Sequence, residues 1–336
     1  MPSAPMSEAP LDGAPLLEVR GLTVEYETAA GPVRAVDSFD LDVYPGEFVG
    51  VVGESGCGKS TMLFGLAQLL SPPARISAGS VMFKGRDLVT MNARELSATR
   101  WRDLSVVMQS AMNALNPVTQ LGVQFADVMR AHGERSGEAI TQRSVEVLEL
   151  VGIDPVHLKS YPHQLSGGMR QRAMIAMALL FTPDLVIMDE PTSALDVVAQ
   201  RSLMVQIKDL QRRLGFAVIF VTHDMSLVSH FSDRLVVMYA AQAVEIGPTR
   251  SIFDDPGHPY TRGLLDAFPS IRGPRVPLTG IPGSPPNLLN PPTGCRFAPR
   301  CPHRFDLCDQ EPPLYDAPGS LAACHLHAPA RVEVAR

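Results

Sequence analysis

The sequence predicts an α/β fold, a sheet covered by helices, because strand and helix patterns alternate along the chain. Three short apolar segments, Phe48–Val52, Leu185–Met188 and Ala217–Val221, have the length and composition of buried strands. A helix is predicted over Lys59–Leu70, directly after a glycine-rich turn that follows the first of these strands. Strand–helix–strand alternation of this kind is typical of a sheet packed against helices.

Two further patterns extend this fold. Another strand is predicted at Leu17–Val24, and residues 90–180 lack strand signals and are predicted to form a mostly helical inserted subdomain. Between the second and third apolar strands, apolar residues recur at helical spacing and a glycine follows them as a C-cap. These residues are Leu203, Ile207, Leu210, Leu214 and Gly215.

Composition divides the chain into three segments. Residues 1–15 are rich in proline and alanine and have no periodicity, which predicts a disordered tail. Residues 248–336 contain 17 of the 30 prolines, a density that does not support long helices or central strands. We therefore predict a main domain over residues 16–265 and a C-terminal extension of loops and short elements over residues 266–336.

Charge and hydropathy exclude several classes of protein. The formal net charge of −6 provides no cationic field to hold nucleic acid or an anionic membrane surface. No apolar run approaches the roughly 18 residues that a membrane-spanning helix requires, and the first twenty residues lack the pattern of a secretory signal. We therefore expect no nucleic-acid partner and only a peripheral association with a membrane, through a partner.

A phosphate-binding loop is predicted at Gly53–Ser60, because its sequence GESGCGKS matches G-x-x-x-x-G-K-[ST] at every fixed position. The glycines let successive backbone N–H groups turn toward phosphate oxygens, and the following helix directs its positive end at the same anion. Lys59 is expected to reach the β- and γ-phosphates, and the Ser60 hydroxyl to bind Mg²⁺. The residues expected to bind the nucleotide here are Gly53, Ser55, Gly56, Cys57, Gly58, Lys59, Ser60 and Thr61.

A second part of the same site is predicted where an apolar strand ends in two carboxylates, Asp189 and Glu190. Taken alone, this pair indicates only an acidic turn. Beside a phosphate loop, a buried strand that delivers Asp189 to its carboxyl end supplies a ligand for Mg²⁺. Glu190, one residue further on, is then placed to polarise a water in line with the γ-phosphate.

With these motifs in place, the chain resembles the ATP-binding cassette (ABC) ATPases over about residues 17–250. Leu165–Met169, with the sequence LSGGM, resembles the family signature LSGGQ, with Met169 in place of the usual glutamine. The resemblance implies the P-loop fold of this family, with a RecA-like core, an antiparallel β subdomain and a helical subdomain at about residues 90–180. The signature residues then expected to contact the γ-phosphate of ATP held by the opposite subunit are Ser166, Gly167 and Gly168.

Four further positions match motifs of this family in its usual order. Gln109 matches the Q-loop, which touches Mg²⁺ and the attacking water, and Ser193–Asp196 matches the D-loop, which crosses the dimer interface. His223 matches the switch histidine that bonds the γ-phosphate. Tyr26 matches the aromatic residue that stacks on adenine, although it could equally be a strand residue packed on the sheet. The resemblance thus implies an active ATPase with Glu190, His223 and Gln109 as its catalytic residues.

The chain contains one cassette, and each ATP site of this family combines the phosphate loop of one cassette with the signature of another, so a dimer is expected. His258–Arg262 and Gly294–Pro302 resemble the C-terminal region of oligopeptide and dipeptide importer ATPases. The second ATPase of such systems usually keeps the signature glutamine, which favours a heterodimer.

This closer resemblance implies ATP-driven uptake of oligopeptides or dipeptides, at the cytoplasmic face of the cell membrane. The implied partners are two transmembrane permease subunits and an extracytoplasmic substrate-binding protein. Importers of nickel, glutathione or oligosaccharides belong to the same subfamily and stay open as alternatives. A non-transport regulatory ABC ATPase is the alternative from another class.

Four of the five cysteines, Cys295, Cys301, Cys308 and Cys324, lie within about thirty residues of the extension and suggest a metal or cluster that holds together a segment too small for its own core. Zinc sites usually have closely spaced cysteine pairs, which are absent here, while wider intervals fit a [4Fe–4S] cluster. Spacing alone leaves both open, and the resemblance favours the cluster, since some members of the subfamily carry one. Free thiols are a third alternative. Additional candidate ligands for Zn²⁺ are His303, His325 and His327.

Overall fold

The structure, a computed structural model, describes residues 13–109, 114–193, 195–267 and 280–329 of the 336-residue chain. The strands in these ranges are β1 (Leu17–Thr28), β2 (Gly31–Val43), β3 (Phe48–Val52), β4 (Ala74–Phe83), β5 (Arg86–Asp87), β6 (Leu104–Val107), β7 (Leu185–Asp189), β8 (Ala217–Val221), β9 (Arg234–Tyr239), β10 (Gln242–Pro248), β11 (Tyr315–Ala317) and β12 (Ser320–Ala322). The α-helices are α1 (Lys59–Leu66), α2 (Ala93–Thr99), α3 (Leu121–Ala131), α4 (Gly137–Leu150), α5 (Gly167–Ala178), α6 (Val197–Leu214), α7 (Met225–Phe231), α8 (Thr249–Asp254) and α9 (Pro259–Asp266). Short 3₁₀ turns lie at Pro155–Lys159, Pro162–Gln164, Ala298–Arg300, Asp306–Asp309 and His325–His327.

An eight-stranded sheet lies at the centre of the fold, in the order β11-β12-β10-β9-β3-β8-β7-β6. The strands from β9 to β6 run parallel, and β10, β12 and β11 continue the sheet antiparallel. Every residue of β3, β7 and β8 is buried, as expected for parallel strands covered on both faces. Phe48 and Phe220 pack into the core on one face, and Val51 and Ile219 pack into the core on the other.

A second, antiparallel sheet has the order β2-β1-β4-β5. Its apolar side chains, such as Val19 and Val24, share one core with Leu63 of α1 and with Val49 of the main sheet. This shared core fixes the first strand pair above the helix that follows the glycine-rich loop.

The segment between β5 and β7 is the helical part of the chain, with α2 to α5. Strand β6 lies within residues 90–180, which lack strand signals in the sequence and are predicted to be mostly helical, and it pairs with β7 at one edge of the main sheet. Its sequence, LSVV, is too short for a periodic pattern to appear. Among the described helices, none is both long enough and apolar enough to traverse a bilayer.

Several element boundaries differ from the sequence predictions by a few residues. The helix predicted over Lys59–Leu70 ends at Leu66, and the strand predicted at Leu17–Val24 continues to Thr28. The predicted helix before β8 is confirmed as α6, and Gly215 caps it with a φ of 78°. The left-handed backbone at this position explains why the residue is glycine.

The C-terminal residues 280–329 contain only short elements, as the proline content predicts. The sequence did not indicate that the hairpin β11–β12 would join the main sheet, where Glu245 pairs with Ala322 and Ile246 with Leu321. Residues 1–12, most of the predicted tail, lie outside the described residues. The boundaries at residues 15/16 and 265/266 stay predictions.

Glu245 joins three parts of this region and provides a test of its packing. The carboxylate is fully buried and accepts hydrogen bonds from the backbone N–H groups of Gly257 (2.7 Å) and His258 (3.0 Å) and from the Ser320 hydroxyl (2.8 Å). Glu245→Ala leaves these donors without a partner, so we expect a loss of about 2–4 kcal/mol in the free energy of unfolding, measured by urea denaturation. The control Glu27→Ala removes an exposed ion pair with Arg75 and should cost less than about 1 kcal/mol; equal losses in both variants would contradict the assignment.

Candidate active site

The carboxyl ends of four neighbouring parallel strands meet at one edge of the main sheet, and a predicted site residue follows each of them. The phosphate loop follows β3, His223 follows β8, Asp189 ends β7, and Gln109 follows β6. In open α/β sheets, ligands bind beyond this edge. The topology therefore gathers residues that are far apart in the sequence.

The phosphate loop is packed tightly against two backbone segments, which explains two of its glycines. Gly53 has a φ of 151° and Gly58 a φ of 104°, both in the region that favours glycine. A Cβ atom on Gly53 would overlap the carbonyl oxygen of Met238, and one on Gly58 would overlap that of Ala35. A Cβ atom on Gly56, by contrast, would meet no atom within 4 Å.

The side chain of Lys59 folds back over this loop and is buried. Its ammonium group donates to the carbonyl oxygens of Gly53 (2.7 Å) and Glu54 (3.0 Å) and lies 3.7 Å from the Cys57 sulfur. Burial raises the pKa of the Cys57 thiol although the Lys59 charge opposes this. Cys57 is therefore a small neutral residue within the loop, and Lys59 carries the charge that can face phosphate oxygens.

Ser60 and Asp189 form the candidate Mg²⁺ site. The Ser60 hydroxyl donates to the Asp189 carboxylate at 3.1 Å, and Asp189 is buried. Burial raises the pKa of Asp189 and the nearby charge of Glu190 adds to this effect, while the hydrogen bond from Ser60 opposes it. A buried carboxylate oxygen beside a hydroxyl oxygen suits a hard divalent cation, so these two residues could hold Mg²⁺.

The three predicted catalytic residues lie together, because Gln109 and His223 both contact the carboxylate of Glu190. The Gln109 amide donates to one oxygen at 2.8 Å, and Nδ1 of His223 lies 3.2 Å from the other. Glu190 itself has a φ of 43°, and its backbone N–H donates to the Val221 carbonyl oxygen. This left-handed backbone turns the chain sharply after β7. Backbone strain of this kind is common at functional sites. The arrangement fixes a carboxylate beside the candidate Mg²⁺ ligands.

Tyr26 lies in β1 of the antiparallel sheet, and its hydroxyl is 3.3 Å from that of Thr61 at the start of α1. Tyr26 therefore pairs within the sheet, opposite Val33 and Ala74, and its side chain reaches the helix of the phosphate loop. Its role in adenine stacking stays a prediction.

The signature segment begins α5. The Ser166 hydroxyl caps this helix by accepting from the Met169 N–H at 3.3 Å, and Ser166 is exposed while Gly167 and Gly168 are partly exposed. Within the described residues, no hydrogen bond joins Ser166 to the phosphate loop. The structure thus does not bring the signature and the phosphate loop of one chain together.

The D-loop follows β7 and leads into α6. Asp196 caps α6 by accepting from the Ala199 N–H at 2.9 Å, and the Ser193 N–H donates to the Glu190 carbonyl oxygen. Residue 194 lies outside the described residues. At the start of α6, Val197 and Val198 are about 80% exposed, so an apolar pair faces outward beside the D-loop.

The four cysteines of the extension line one small cavity of about 10 Å³, together with His303 and His325. All five cysteines are described, and none forms a disulfide. Among the described residues, no three His, Cys, Asp or Glu side chains have the arrangement that could hold a metal ion. Burial raises the pKa of Cys324 to about 11, and the other three cysteines add to this.

Two residues that contact the phosphate loop were not predicted to belong to the site. The Glu54 N–H donates to the hydroxyl of Tyr260 at 2.9 Å, and the Glu54 carboxylate pairs with Arg300. A third residue, Arg296, pairs with Asp37 and donates to the Ala240 carbonyl oxygen at 2.6 Å. Tyr260 and both arginines lie within the two segments that carry the closer family resemblance, which is the only signal that could have pointed to them.

Comparisons with known proteins agree with this geometry. Residues 36–193 match the ABC transporter family, and residues 244–308 match the family described as "Oligopeptide/dipeptide transporter, C-terminal region". The oligopeptide transport ATP-binding protein OppD of Salmonella typhimurium is 43% identical over 321 residues, which cover 95% of this chain and 96% of that protein. The chain belongs to the ABC transporter ATP-binding proteins.

Other relatives of this ABC ATPase agree. The dipeptide transport ATP-binding protein DppD of Bacillus subtilis is 44% identical over 88% of this chain and 89% of its own length. Among solved structures, the dimeric post-hydrolysis state of the ATP-binding cassette MJ0796 bound to ADP and Pi matches with a TM-score of 0.63 and 28% identity. The match covers 70% of this chain and 99% of the cassette. The predicted ABC-type P-loop fold and ATPase class are confirmed.

The packing of the phosphate loop can be tested with matched glycine variants. We expect Gly58→Ala to weaken ATP binding by at least about tenfold, because the loop must move to relieve the overlap with Ala35. Gly56→Ala, the control, adds only the cost of a left-handed alanine, about 1 kcal/mol, and should change ATP affinity less. Affinity is measured by titration with a fluorescent ATP analogue; wild-type affinity in Gly58→Ala would contradict the packing argument.

Proposed function

We propose that this ABC ATPase hydrolyses ATP to drive the uptake of oligopeptides or dipeptides through an importer, at the cytoplasmic face of the membrane. The observation that carries this proposal is that Gln109 and His223 both bond the Glu190 carboxylate. The adjacent residue, Asp189, bonds Ser60 of the phosphate loop. Support for the cargo comes from relatives named for oligopeptide and dipeptide transport, which align with nearly the whole chain.

The binding step uses the backbone of Gly53–Gly58, the ammonium of Lys59 and the positive end of α1, which together attract the phosphates of ATP. Tyr26, half-buried in β1, stacks on the adenine ring. Ser60 and Asp189 would hold Mg²⁺, with Gln109 as a further expected ligand, and the bound cation would supply positive charge to neutralise the phosphate oxygens.

In the hydrolytic step, the Glu190 carboxylate accepts a hydrogen bond from a water and orients it in line with the γ-phosphorus. The water oxygen forms a bond to phosphorus while the bond from phosphorus to the bridging oxygen breaks. ADP leaves with the bridging oxygen, and one proton of the water passes to the Glu190 carboxylate, which leaves inorganic phosphate as the second product. Gln109 and His223 hold the two carboxylate oxygens of Glu190, and His223, whose side chain is 67% exposed, can reach the γ-phosphate. The residues of this chain thus position the water and stabilise the charge of the transition state.

The second cassette completes each ATP site through its own signature. In this chain, the exposed Ser166 at the start of α5 and the exposed pair Val197 and Val198 beside the D-loop support a face that meets another cassette. Met169 lacks the amide of the usual signature glutamine, whereas the second ATPase of such importers usually keeps it. This difference supports a heterodimer of two ATPases with different sequences. Two transmembrane permeases and an extracytoplasmic binding protein complete the importer, and the binding protein selects the cargo.

Glu190→Gln tests the hydrolytic step. The amide cannot accept a hydrogen bond from the water as the carboxylate does, so we expect ATP turnover to fall by about 10²–10⁴-fold and an ATP-bound closed dimer to accumulate with the partner cassette. Turnover is measured by phosphate release and dimerisation by size-exclusion chromatography. Glu149→Gln, on the exposed surface of α4, is the control; undiminished turnover in Glu190→Gln would remove Glu190 from this role.

The same variant tests the cargo. In cells that lack the native chain, wild-type protein should restore the uptake of labelled dipeptides and tripeptides, and Glu190→Gln should not. Restored uptake of nickel, glutathione or oligosaccharides, without peptide uptake, would assign the chain to another importer of the subfamily. Co-purification with RNA or DNA instead of two permeases would overturn a transport role.

The cavity lined by Cys295, Cys301, Cys308 and Cys324 supports a [4Fe–4S] cluster in the extension. A zinc site needs four sulfurs about 2.3 Å from one point, whereas a cluster takes one thiolate on each of four irons. The spacing of the four cysteines leaves both open, and the resemblance to importer ATPases, some of which carry a cluster, favours the cluster. Two of the histidines that could replace cysteines as zinc ligands, His325 and His327, bond the carbonyl oxygens of Gln310 and Gly257.

Purification under anaerobic conditions tests this cofactor. We expect a broad absorbance near about 400 nm, in the range where iron–sulfur clusters absorb, together with about four irons for each chain. Cys308→Ser should abolish the absorbance, and Cys57→Ser, outside the cavity, should leave it unchanged. Zinc without iron in elemental analysis would show that the zinc alternative is right, and the absence of both would show free thiols.

A further inference from the structure

The phosphate loop is held from the C-terminal region through Glu54. Nη1 and Nη2 of Arg300 donate to the two oxygens of the Glu54 carboxylate at 2.8 and 3.0 Å, a bidentate pair. The Glu54 backbone N–H donates to the Tyr260 hydroxyl at 2.9 Å. Both the side chain and the backbone of one loop residue are therefore fixed by residues outside the strands and helix that carry the loop.

Arg300 and Tyr260 are rigidly placed themselves. Nε of Arg300 donates to the Pro282 carbonyl oxygen at 2.8 Å, and its guanidinium lies 5.7 Å from the centre of the Tyr239 ring. Tyr260 is fully buried, with its ring centre 4.5 Å from that of Tyr239 and 5.5 Å from that of Phe297. Because only 6% of the Arg300 side chain is exposed, its pair with Glu54 is screened little by solvent.

The contacts of Glu54 bear directly on the residues that face the nucleotide. The Glu54 carbonyl oxygen accepts from Lys59 at 3.0 Å, so the same peptide segment that Tyr260 and Arg300 hold also orients the lysine ammonium. The N–H of Glu54 donates to Tyr260 and is therefore not free to bind a phosphate. A shift of Glu54 would therefore move Lys59 and the glycine turn that begins at Gly53.

We infer that Arg300 and Tyr260 are positioning residues that hold the phosphate loop in its nucleotide-binding conformation, so that the C-terminal region sets the affinity for ATP. This inference rests on the proposed ATPase function. Neither residue contacts the Gln109, Glu190 and His223 group, so the effect falls on nucleotide binding more than on the hydrolytic step. A loop held before ATP arrives does not have to be ordered on binding, which favours affinity.

The main test substitutes Arg300 in the full chain, assembled with its partner subunits. We expect Arg300→Met to raise both KM for ATP and the dissociation constant of a fluorescent ATP analogue by about tenfold or more, as for the loss of a bidentate charged pair. The value of kcat should change less than about threefold. Arg300→Lys, which keeps one charged donor, should recover part of the affinity. The control Arg304→Met removes an exposed pair with Asp309 in the same region and should match the wild type.

Two further measurements separate positioning from a merely structural role. In a double-mutant cycle, Arg300→Met should cost less affinity in a Glu54→Gln chain than in the wild type, because the two residues act together. Tyr260→Phe removes one hydroxyl and keeps the ring, and it should raise KM for ATP by about threefold or more. This variant tests the inference independently if Arg300→Met does not fold.

The outcomes distinguish this inference from the proposed function. A wild-type assembly without ATPase activity would contradict the proposed function itself. An active wild type together with folded Arg300→Met and Tyr260→Phe chains of unchanged KM would overturn the inference alone. It would also be overturned if both variants lowered the unfolding midpoint and left nucleotide affinity as in the wild type.

Discussion

The site depends on a close approach of backbone to backbone that only glycine permits. At Gly53 and Gly58 the phosphate loop lies directly against the carbonyl oxygens of Met238 and Ala35. Met238 belongs to β9 of the main sheet and Ala35 to β2 of the antiparallel sheet, so the loop is confined between both sheets. Within that confinement its remaining N–H groups and Lys59 can be presented to an anion without the cost of ordering the loop on binding.

The parallel strands supply the second ordering principle. Because β6, β7, β8 and β3 end side by side, residues such as Gln109, Asp189 and His223 are delivered by rigid elements to neighbouring positions. Asp189 bonds Ser60, and these two residues are the candidate Mg²⁺ ligands. Gln109 and His223 instead bond the carboxylate of Glu190. The candidate Mg²⁺ ligands and the contacts of Glu190 therefore lie at the same sheet edge, where the proposed transfer of a phosphoryl group to water would need both.

The fold class could be predicted from the sequence, because phosphate loops and carboxylates after apolar strands are local patterns. The same patterns named candidate site residues that the structure brings to one sheet edge, Ser60, Asp189 and Glu190 among them. The sequence did not reveal β6, whose four residues are too few to show a period. The contacts of Glu54 were equally out of reach, since Tyr260 and Arg300 are 206 and 246 residues away. Such pairings depend on how the C-terminal region folds back on the core, and no short-range pattern encodes them.

The hairpin of β11 and β12 has a protective role that follows from its place in the sheet. Its strands of three residues each cover β10, a seven-residue strand with four buried positions in succession. Without the hairpin, β10 would present open N–H and C=O groups at the edge of the sheet, which is the usual template for pairing between chains. With the hairpin in place the sheet ends in a strand too short to recruit another molecule, so the C-terminal region keeps individual chains from joining edge to edge.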